Sequence, residues 1–286
     1  MHLWMEHYYS RSGITIYHGD CLDAMRTLPD GVIDLVVTSP PYDNLRKYDS
    51  GYAFDFPAVA SQITRILKPG GDIVWIVSDA TISGSETGTN FRQALHFKEL
   101  GLNIHDTMVW EKGSPSYCGG CNHRYLSVFE YMFVFSKGYP KTFNPIRDRP
   151  NKTAGDKKHG TQRQSDGSFR YKTSPGKLTE EYGQRFNVWN IHHEKARNTG
   201  HPAVFPVSLV LDHIRSWSNP GELVFDPFLG SGTTAVASMT LGRLCMGADI
   251  SEKYCEIAAK RLNAQIPDGD IDPSAEHKVG VNGIPV

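Results

Sequence analysis

Apolar positions along this chain fall into short blocks that polar turns separate. Residues 32–37 and 73–77 are almost continuously apolar and rich in β-branched side chains, which is typical of strands buried on both faces of a parallel sheet. Between them, residues 56–67 repeat apolar side chains at helical spacing and end at Pro69-Gly70-Gly71. This alternation predicts an α/β fold with a doubly wound, mostly parallel sheet, a Rossmann-like arrangement.

The same reasoning assigns the other regular elements. Further strands are predicted at 14–17, 104–110, 223–225 and 244–248, with a strand pair or one bulged strand at 125–136. Further helices are predicted at 20–28, 90–100, 206–217, 233–241 and 252–265.

One segment departs from this pattern. Residues 141–177 contain ten Lys or Arg, three Asp and no Glu, a local charge of +7, and few aliphatic side chains. We therefore expect a basic, loop-rich insertion at 141–200 that divides one domain into a first half at 14–140 and a second half at 201–265. The Gly/Pro/Asp-rich tail at 266–286 is predicted to be disordered.

Bulk properties limit the classes that remain. A net charge of −1 neither indicates nor excludes a nucleic-acid partner. The chain has no apolar run of about 20 residues and no signal-peptide pattern, so we expect a cytoplasmic protein with no membrane partner and free thiols. Cys118-Gly-Gly-Cys121-Asn-His123 resembles part of a metal site but lacks a fourth ligand, so no metal is predicted.

A glycine-rich turn lies between a predicted strand and a predicted helix at 224–234. Gly230 and Gly232 allow a tight turn and close approach of a ligand. Asp226 at the strand end can meet an ammonium group, and Asp249 at the end of the next strand can accept hydrogen bonds from ribose hydroxyls. Taken alone, Gly230-x-Gly232-x-x-Ala235 also matches the fingerprint of an NAD-dependent oxidoreductase.

The tetrapeptide Ser39-Pro40-Pro41-Tyr42 follows a predicted buried strand. An exocyclic base amine is a poor nucleophile, because its lone pair is delocalised into the ring. A catalyst must hold the N–H groups in fixed acceptors, and the Ser39 hydroxyl and a carbonyl of the rigid Pro-Pro turn are two such acceptors. Tyr42 can stack on a base that has left the duplex.

Together these motifs make the chain resemble the beta-class DNA amino-methyltransferases, in which the catalytic motif comes first, the target-recognition region follows and the cofactor motif comes last. The resemblance implies S-adenosylmethionine as cofactor, catalysis by the Ser39–Tyr42 loop, and a base pocket formed by Tyr42 and Trp110. The residues that it implies in cofactor binding are Asp20, Asp226, Pro227, Phe228, Gly230, Gly232, Thr233 and Asp249.

DNA is the partner that the resemblance implies. The expected contacts to DNA are made by Arg147, Arg149, Lys157, Lys158, Arg163 and Arg170, with the four arginines as candidates for reading guanine edges. By family analogy, Ser39 favours cytosine N4 as the methyl acceptor, with adenine N6 as the alternative. An RNA or protein acceptor, an inactive nucleic-acid-binding protein, a separately acting restriction endonuclease, and a monomer or homodimer all stay open.

Overall fold

The computed structural model describes residues 7–41, 54–113, 123–158, 160–171, 176–192 and 206–265. Tyr42, Cys118, Cys121 and the predicted tail at 266–286 lie outside these residues. The helices are α1 (Cys21–Thr27), α2 (Phe56–Ile66), α3 (Thr89–Glu99), α4 (Val207–Trp217), α5 (Thr233–Thr240) and α6 (Glu252–Asn263). The first eight strands are β1 (His7–Arg11), β2 (Ile14–His18), β3 (Ile33–Thr38), β4 (Leu67–Val77), β5 (Thr81–Ile82), β6 (Ser85–Glu86), β7 (Asn103–Glu111) and β8 (Phe129–Ser136). The others are β9 (Arg149–Pro150), β10 (Thr161–Arg163), β11 (Phe169–Tyr171), β12 (Tyr182–Gly183), β13 (Val188–Asn190), β14 (Leu223–Asp226) and β15 (Leu244–Asp249).

Nine of these strands form one sheet in the order β1-β2-β15-β14-β3-β4-β8-β7-β13. Only β1 and β8 run against the other seven strands, because β1 is antiparallel to β2 and β8 is antiparallel to both β4 and β7. The predicted mostly parallel sheet is confirmed. The single strand β8 replaces the strand pair that residues 125–136 also allowed.

Helices cover both faces of this sheet. Helices α1, α2 and α3 share one buried apolar cluster with the central strands, and α5 and α6 belong to a second cluster with Ile14, Ile16 and Cys245. Helix α2 shows why the pattern predicts the element: its buried side chains recur at helical spacing, and the Asp55 side chain caps it by accepting a hydrogen bond from the Ala58 amide. No helix among the described residues combines the length and apolarity that a membrane span needs.

The strand that follows α2 begins earlier than the sequence predicts. Strand β4 starts at Leu67 rather than at Ile73, because Lys68 to Gly71 continue along β3 with a shift in register. A Cβ atom at Gly71 would lie 2.8 Å from the Asp34 carbonyl oxygen, so the strand can follow this path only with glycine there.

The chain separates into two compact units. The first contains residues 1–144 and 187–286 and holds the nine-stranded sheet; the second is Pro145–Phe186. The second unit contains the hairpin β10-β11 and the short antiparallel pair β9-β12. It lies within the segment 141–200 that the sequence assigns to an insertion, whereas β13, also within that segment, pairs in parallel with β7 of the first unit.

Candidate cofactor and catalytic site

The predicted motifs meet where the order of the sheet reverses. Strands β14 and β3 are parallel neighbours, but α5 leads from β14 to β15 on one side and α2 leads from β3 to β4 on the other. Two connections that leave in opposite directions open a crevice at the carboxyl ends of the strands, which is the usual ligand site of such sheets. Asp226 ends β14 and Thr38 ends β3 at this point.

Asp226 links the two strands. Its Oδ1 atom accepts hydrogen bonds from the Thr38 hydroxyl at 2.6 Å and the Phe228 amide at 3.0 Å, and its Oδ2 atom accepts one from the Thr234 hydroxyl at 2.7 Å. Burial raises the pKa of Asp226 to about 6, while these three donors oppose a larger rise. The carboxylate therefore fixes the start of the glycine-rich turn to the end of β3.

The glycine-rich turn depends on two left-handed backbone positions. Gly230 has φ of 52° and Gly232 has φ of 81°, conformations that side chains disfavour. A Cβ atom at Gly232 would also lie 2.6 Å from the Cβ atom of Ala258 in α6. The turn thus packs tightly against α6, and α5 begins directly after it with no side-chain cap on its first amides.

Arg261 of α6 supports this turn from behind. Its Nη1 atom donates to the Ser231 carbonyl oxygen at 2.6 Å, and it lies within hydrogen-bond distance of the Ser231 and Thr233 hydroxyls at 3.1 Å and 3.2 Å. The sequence carries no local signal for this contact. Thr38 and Thr234 were also missed as positioning residues, although both adjoin or belong to the predicted motifs.

Asp249 ends β15, next to the turn. Its two carboxylate oxygens accept hydrogen bonds from the Gly230 and Ser251 amides, each at 2.8 Å. Burial raises the pKa of Asp249, and the two amides oppose that rise. A carboxylate can accept about four hydrogen bonds, so Asp249 keeps capacity for the hydroxyls of a ribose.

Asp20 lies at the end of the neighbouring strand β2. Its Oδ1 atom accepts a hydrogen bond from the Leu22 amide at 2.8 Å, so the side chain caps α1. The Gly19 amide donates to the Asp249 carbonyl oxygen at 2.9 Å. This bond brings the ends of β2 and β15 together, and the predicted cofactor role of Asp20 stays a prediction beside its capping role.

The predicted catalytic loop leaves the end of β3 directly. Ser39 and Pro41 are partly exposed and Pro40 is buried, while Tyr42 lies outside the described residues. On the opposite side of the crevice, Pro227 is buried and the Phe228 ring meets Phe54 edge to face at 5.3 Å. The predicted catalytic serine and the predicted cofactor turn are therefore on adjacent strand ends.

Trp110 is a core residue in this structure. It lies in β7, only 2% of its surface is exposed, and its indole nitrogen donates to the Ile191 carbonyl oxygen at 2.8 Å. Beside it, Lys112 and Glu130 form a buried ion pair at 2.8 Å. Its predicted place in a base pocket stays a prediction.

The six predicted DNA-contacting residues all belong to the second unit. Lys157 forms an isolated β-bridge with Leu178, and Lys158 is partly exposed beside it. Arg147, Lys158 and Lys177 line a cleft of about 550 Å³ with Glu180, Glu181 and Tyr182. Among the described residues, no group of three or more His, Cys, Asp or Glu side chains could hold a metal ion.

The donor and acceptor groups at the carboxyl edge fit S-adenosylmethionine. Carboxylates at Asp226 and Asp249 suit its ammonium group and its ribose hydroxyls, and the left-handed turn at Gly230 allows close backbone approach. Fold and site together define a Rossmann-like methyltransferase.

Comparison with known proteins gives the family. A family model described as DNA methylase, of the N6/N4 type, matches residues 33–260. The orphan methyltransferase M.BamHII of Bacillus amyloliquefaciens is 50% identical over 245 residues, which cover 83% of this chain and 91% of that protein. The type II methyltransferase M.BglII of Bacillus subtilis is 31% identical over 262 residues, with coverages of 88% and 69%. This chain belongs to the N6/N4 DNA methyltransferase family, which is S-adenosylmethionine-dependent.

Solved structures agree on the fold. The cytosine-N4-specific PvuII DNA methyltransferase superposes with a TM-score of 0.65 at 21% identity, covering 92% of this chain and 90% of that one. The M1.HpyAVI complex with S-adenosylmethionine gives a TM-score of 0.58 at 21% identity, with coverages of 87% and 99%. The predicted family and cofactor are confirmed, and the NAD-dependent interpretation of the glycine-rich turn is not needed.

Proposed function

We propose that this DNA methyltransferase transfers the methyl group of S-adenosylmethionine to N4 of a flipped-out cytosine at a specific DNA site. The observation that carries the choice of base is Ser39, which precedes Pro40-Pro41-Tyr42 at the carboxyl end of β3. Within the family pattern, serine at this position accompanies cytosine and aspartate accompanies adenine. A neutral hydroxyl is a weaker acceptor than a carboxylate, which gives a partial physical reason.

The reaction needs positioning more than a strong base. When bound, S-adenosylmethionine would supply a methyl group on a sulfonium, with a neutral thioether as the leaving group, and the amine proton would be released to solvent. The Ser39 hydroxyl and a carbonyl of the Pro-Pro turn accept the two amine N–H groups, so that the nitrogen lone pair points out of the base plane. Tyr42 stacks on the flipped base, so the acceptor nitrogen and the methyl group are held in a fixed mutual position.

In this proposal Asp226 meets the ammonium group of the cofactor, and it also positions the two loops of the site. Its bond to the Thr38 hydroxyl holds the residue before Ser39, and its bond to Thr234 holds the cofactor turn. One carboxylate thus sets the distance between the methyl donor and the acceptor loop. The PvuII enzyme is described as cytosine-N4-specific. For this chain, the proposed choice of cytosine depends on Ser39.

Product analysis tests the proposal. The protein is incubated with tritiated S-adenosylmethionine and unmethylated DNA, which is then digested to nucleosides and separated. Label in N4-methylcytosine is expected. Label in N6-methyladenine would overturn the choice of base, and label transferred only to RNA or protein would overturn the choice of DNA as acceptor.

Calorimetry with matched variants tests the cofactor site. Asp226→Ala should abolish binding of S-adenosylmethionine, because it removes the buried carboxylate that three donors share. Asp23→Ala is the control, since Asp23 is an exposed carboxylate of α1 whose partner is Arg26, and it should bind as the wild type does. Near-normal affinity of Asp226→Ala would contradict the assigned role.

The remaining partner predictions are independent of this chemistry. A separately acting restriction endonuclease and the choice between monomer and homodimer stay predictions. The cytoplasmic location also stays a prediction, made from the lack of a signal-peptide pattern and of a long apolar run. Light scattering of the purified protein decides between monomer and homodimer.

A further inference from the structure

The second unit contains an arginine whose position is fixed before any DNA binds. Strand β9 pairs with β12 so that Arg149 lies opposite Gly183 and Pro150 opposite Tyr182. Three further bonds join the same two segments: the Asn151 amide to the Glu181 carbonyl at 2.9 Å, the Asn151 side chain to the Glu180 carbonyl at 2.9 Å, and the Arg185 amide to the Ile146 carbonyl at 2.9 Å. The backbone around Arg149 is therefore held on both sides.

The Arg149 side chain is fixed as well. Its Nε atom donates to the Gln184 carbonyl oxygen at 3.0 Å, and its guanidinium carbon lies 4.6 Å from the centre of the Phe186 ring. Phe186 is 66% exposed, so this contact between the guanidinium and the ring lies at the surface of the unit. With Nε used, the two terminal nitrogens remain to form a pair of parallel hydrogen bonds.

Gly183 explains how the guanidinium fits. A Cβ atom at position 183 would lie 2.3 Å from Nη2 of Arg149 and 2.8 Å from Oδ1 of Asn151. Gly183 lies in β12, and its φ angle is not positive, so its backbone does not need the left-handed conformation. Gly183 therefore leaves the room that the Arg149 guanidinium occupies, and a Cβ atom here would displace that group.

The other arginines of the unit differ from Arg149. Arg185 is also held, but by an ion pair with the Asp148 carboxylate that neutralises its charge. Arg163 and Arg170 are exposed on the β10-β11 hairpin, and no hydrogen bond or ion pair joins either side chain to the described residues. Arg163 pairs with Phe169 while Arg170 pairs with Gln162, so the two arginines project from opposite faces of the hairpin. Arg147 shares its cleft with the carboxylates of Glu180 and Glu181, which oppose an anionic or acceptor-rich ligand.

We infer that Arg149, held by Gln184 and Phe186, reads the O6 and N7 acceptors of a guanine in the recognised DNA sequence. This inference rests on the proposed DNA methylation and names one feature of its target. A fixed guanidinium fork matches the two guanine acceptors, and it loses little side-chain entropy on binding. The exposed arginines of the hairpin contact phosphates instead, and they contribute affinity without sequence preference.

A selection on random DNA tests the inference. Full-length protein is mixed with a duplex pool of random sequence. The bound fraction is sequenced, and methylated positions are mapped by single-molecule sequencing, which detects N4-methylcytosine and N6-methyladenine alike. Binding is read separately from methyl transfer, so an error in the proposed acceptor base appears in the methylated position and leaves the guanine preference measurable.

Arg149→Lys keeps the charge and removes the fork. We expect it to lower the preference for guanine at one position of the site by about 10- to 100-fold, while preferences at the other positions and the salt dependence of binding stay as in the wild type. Arg163→Lys is the matched control and should keep every preference. Gly183→Ala, which displaces the guanidinium, should relax the same position as Arg149→Lys.

Three results would overturn the inference. The first is a wild-type site without guanine. The second is an unchanged guanine preference in Arg149→Lys. The third is an equal loss of binding for all sequences in a variant whose thermal unfolding matches the wild type, because that result is expected of a phosphate contact. If Arg149→Lys is unfolded, Gly183→Ala decides by the same criterion.

Discussion

The bond between Thr38 and Asp226 gives the sharpest prediction for this protein. Thr38→Val replaces the hydroxyl with a methyl group of similar volume and keeps a β-branched side chain in β3. It removes the 2.6 Å hydrogen bond to a carboxylate that is 98% buried. A buried hydrogen bond to a charged group contributes about 1.5–3 kcal/mol, so the free energy of unfolding should fall by about 2 kcal/mol at pH 8.

The size of this loss should depend on pH. Burial raises the pKa of Asp226 to about 6 from 3.8. The folded protein therefore binds this proton more tightly than the unfolded protein does. As a result, the wild-type free energy of unfolding falls as pH rises from about 4 to about 6. Thr38 lowers this pKa, so its loss raises the pKa further, and the variant continues to lose stability above pH 6. At pH 5 only a bond to a neutral carboxyl is lost, about 1 kcal/mol.

Urea denaturation at pH 5, 6.5 and 8, without cofactor, measures this difference. Thr240→Val is the matched control, because the Thr240 hydroxyl donates only within α5, to the Val236 carbonyl oxygen, on an exposed position. It should change the free energy of unfolding by less than about 0.5 kcal/mol at every pH. A loss in Thr38→Val that is the same at pH 5 and pH 8 would refute the reasoning about Asp226.

Other predictions address the cofactor turn, the base and the sheet. Arg261→Met should weaken binding of S-adenosylmethionine about tenfold in calorimetry by releasing Ser231, while the methylated DNA sequence stays the same; unchanged affinity would contradict the supporting role. Tyr42→Ala should lower kcat more than cofactor affinity, and equal losses would indicate a structural role. Asp72, buried with Oδ1 unpaired among the described residues, has a pKa raised to about 8 by burial. Wild-type stability should fall as pH rises from about 4 to about 8, and Asp72→Asn should reduce this fall by about 1 kcal/mol per pH unit in urea titrations; parallel titrations of the two proteins would contradict this.

Local pattern determined much of the fold. The sequence predicted the buried strands β3 and β14 and the amphipathic helix α2. Helices and buried strands have a characteristic spacing of apolar residues and end at recognisable residues, so a short stretch of sequence is enough to identify them. The edge strands β1 and β13 were not predicted. Each is five residues or fewer and carries exposed side chains, so neither has the apolar run that marks a buried strand.

The sequence also indicated the class of enzyme. Ser39-Pro40-Pro41-Tyr42 and the turn at Gly230 and Gly232 are contiguous motifs, and their residue types restrict what each can bind. Their order along the chain indicated the family, which the comparisons confirmed.

Only the tertiary structure decided which residues hold these motifs in place. Thr38 and Asp226 are 188 residues apart, and Arg261 lies 30 residues from the Ser231 that it supports. Such pairs form when the sheet brings distant strand ends together, and no local period records them. The basic insertion shows the same limit: composition revealed its positive charge, but only the folded contacts distinguish Arg149 from the exposed Arg163 and Arg170.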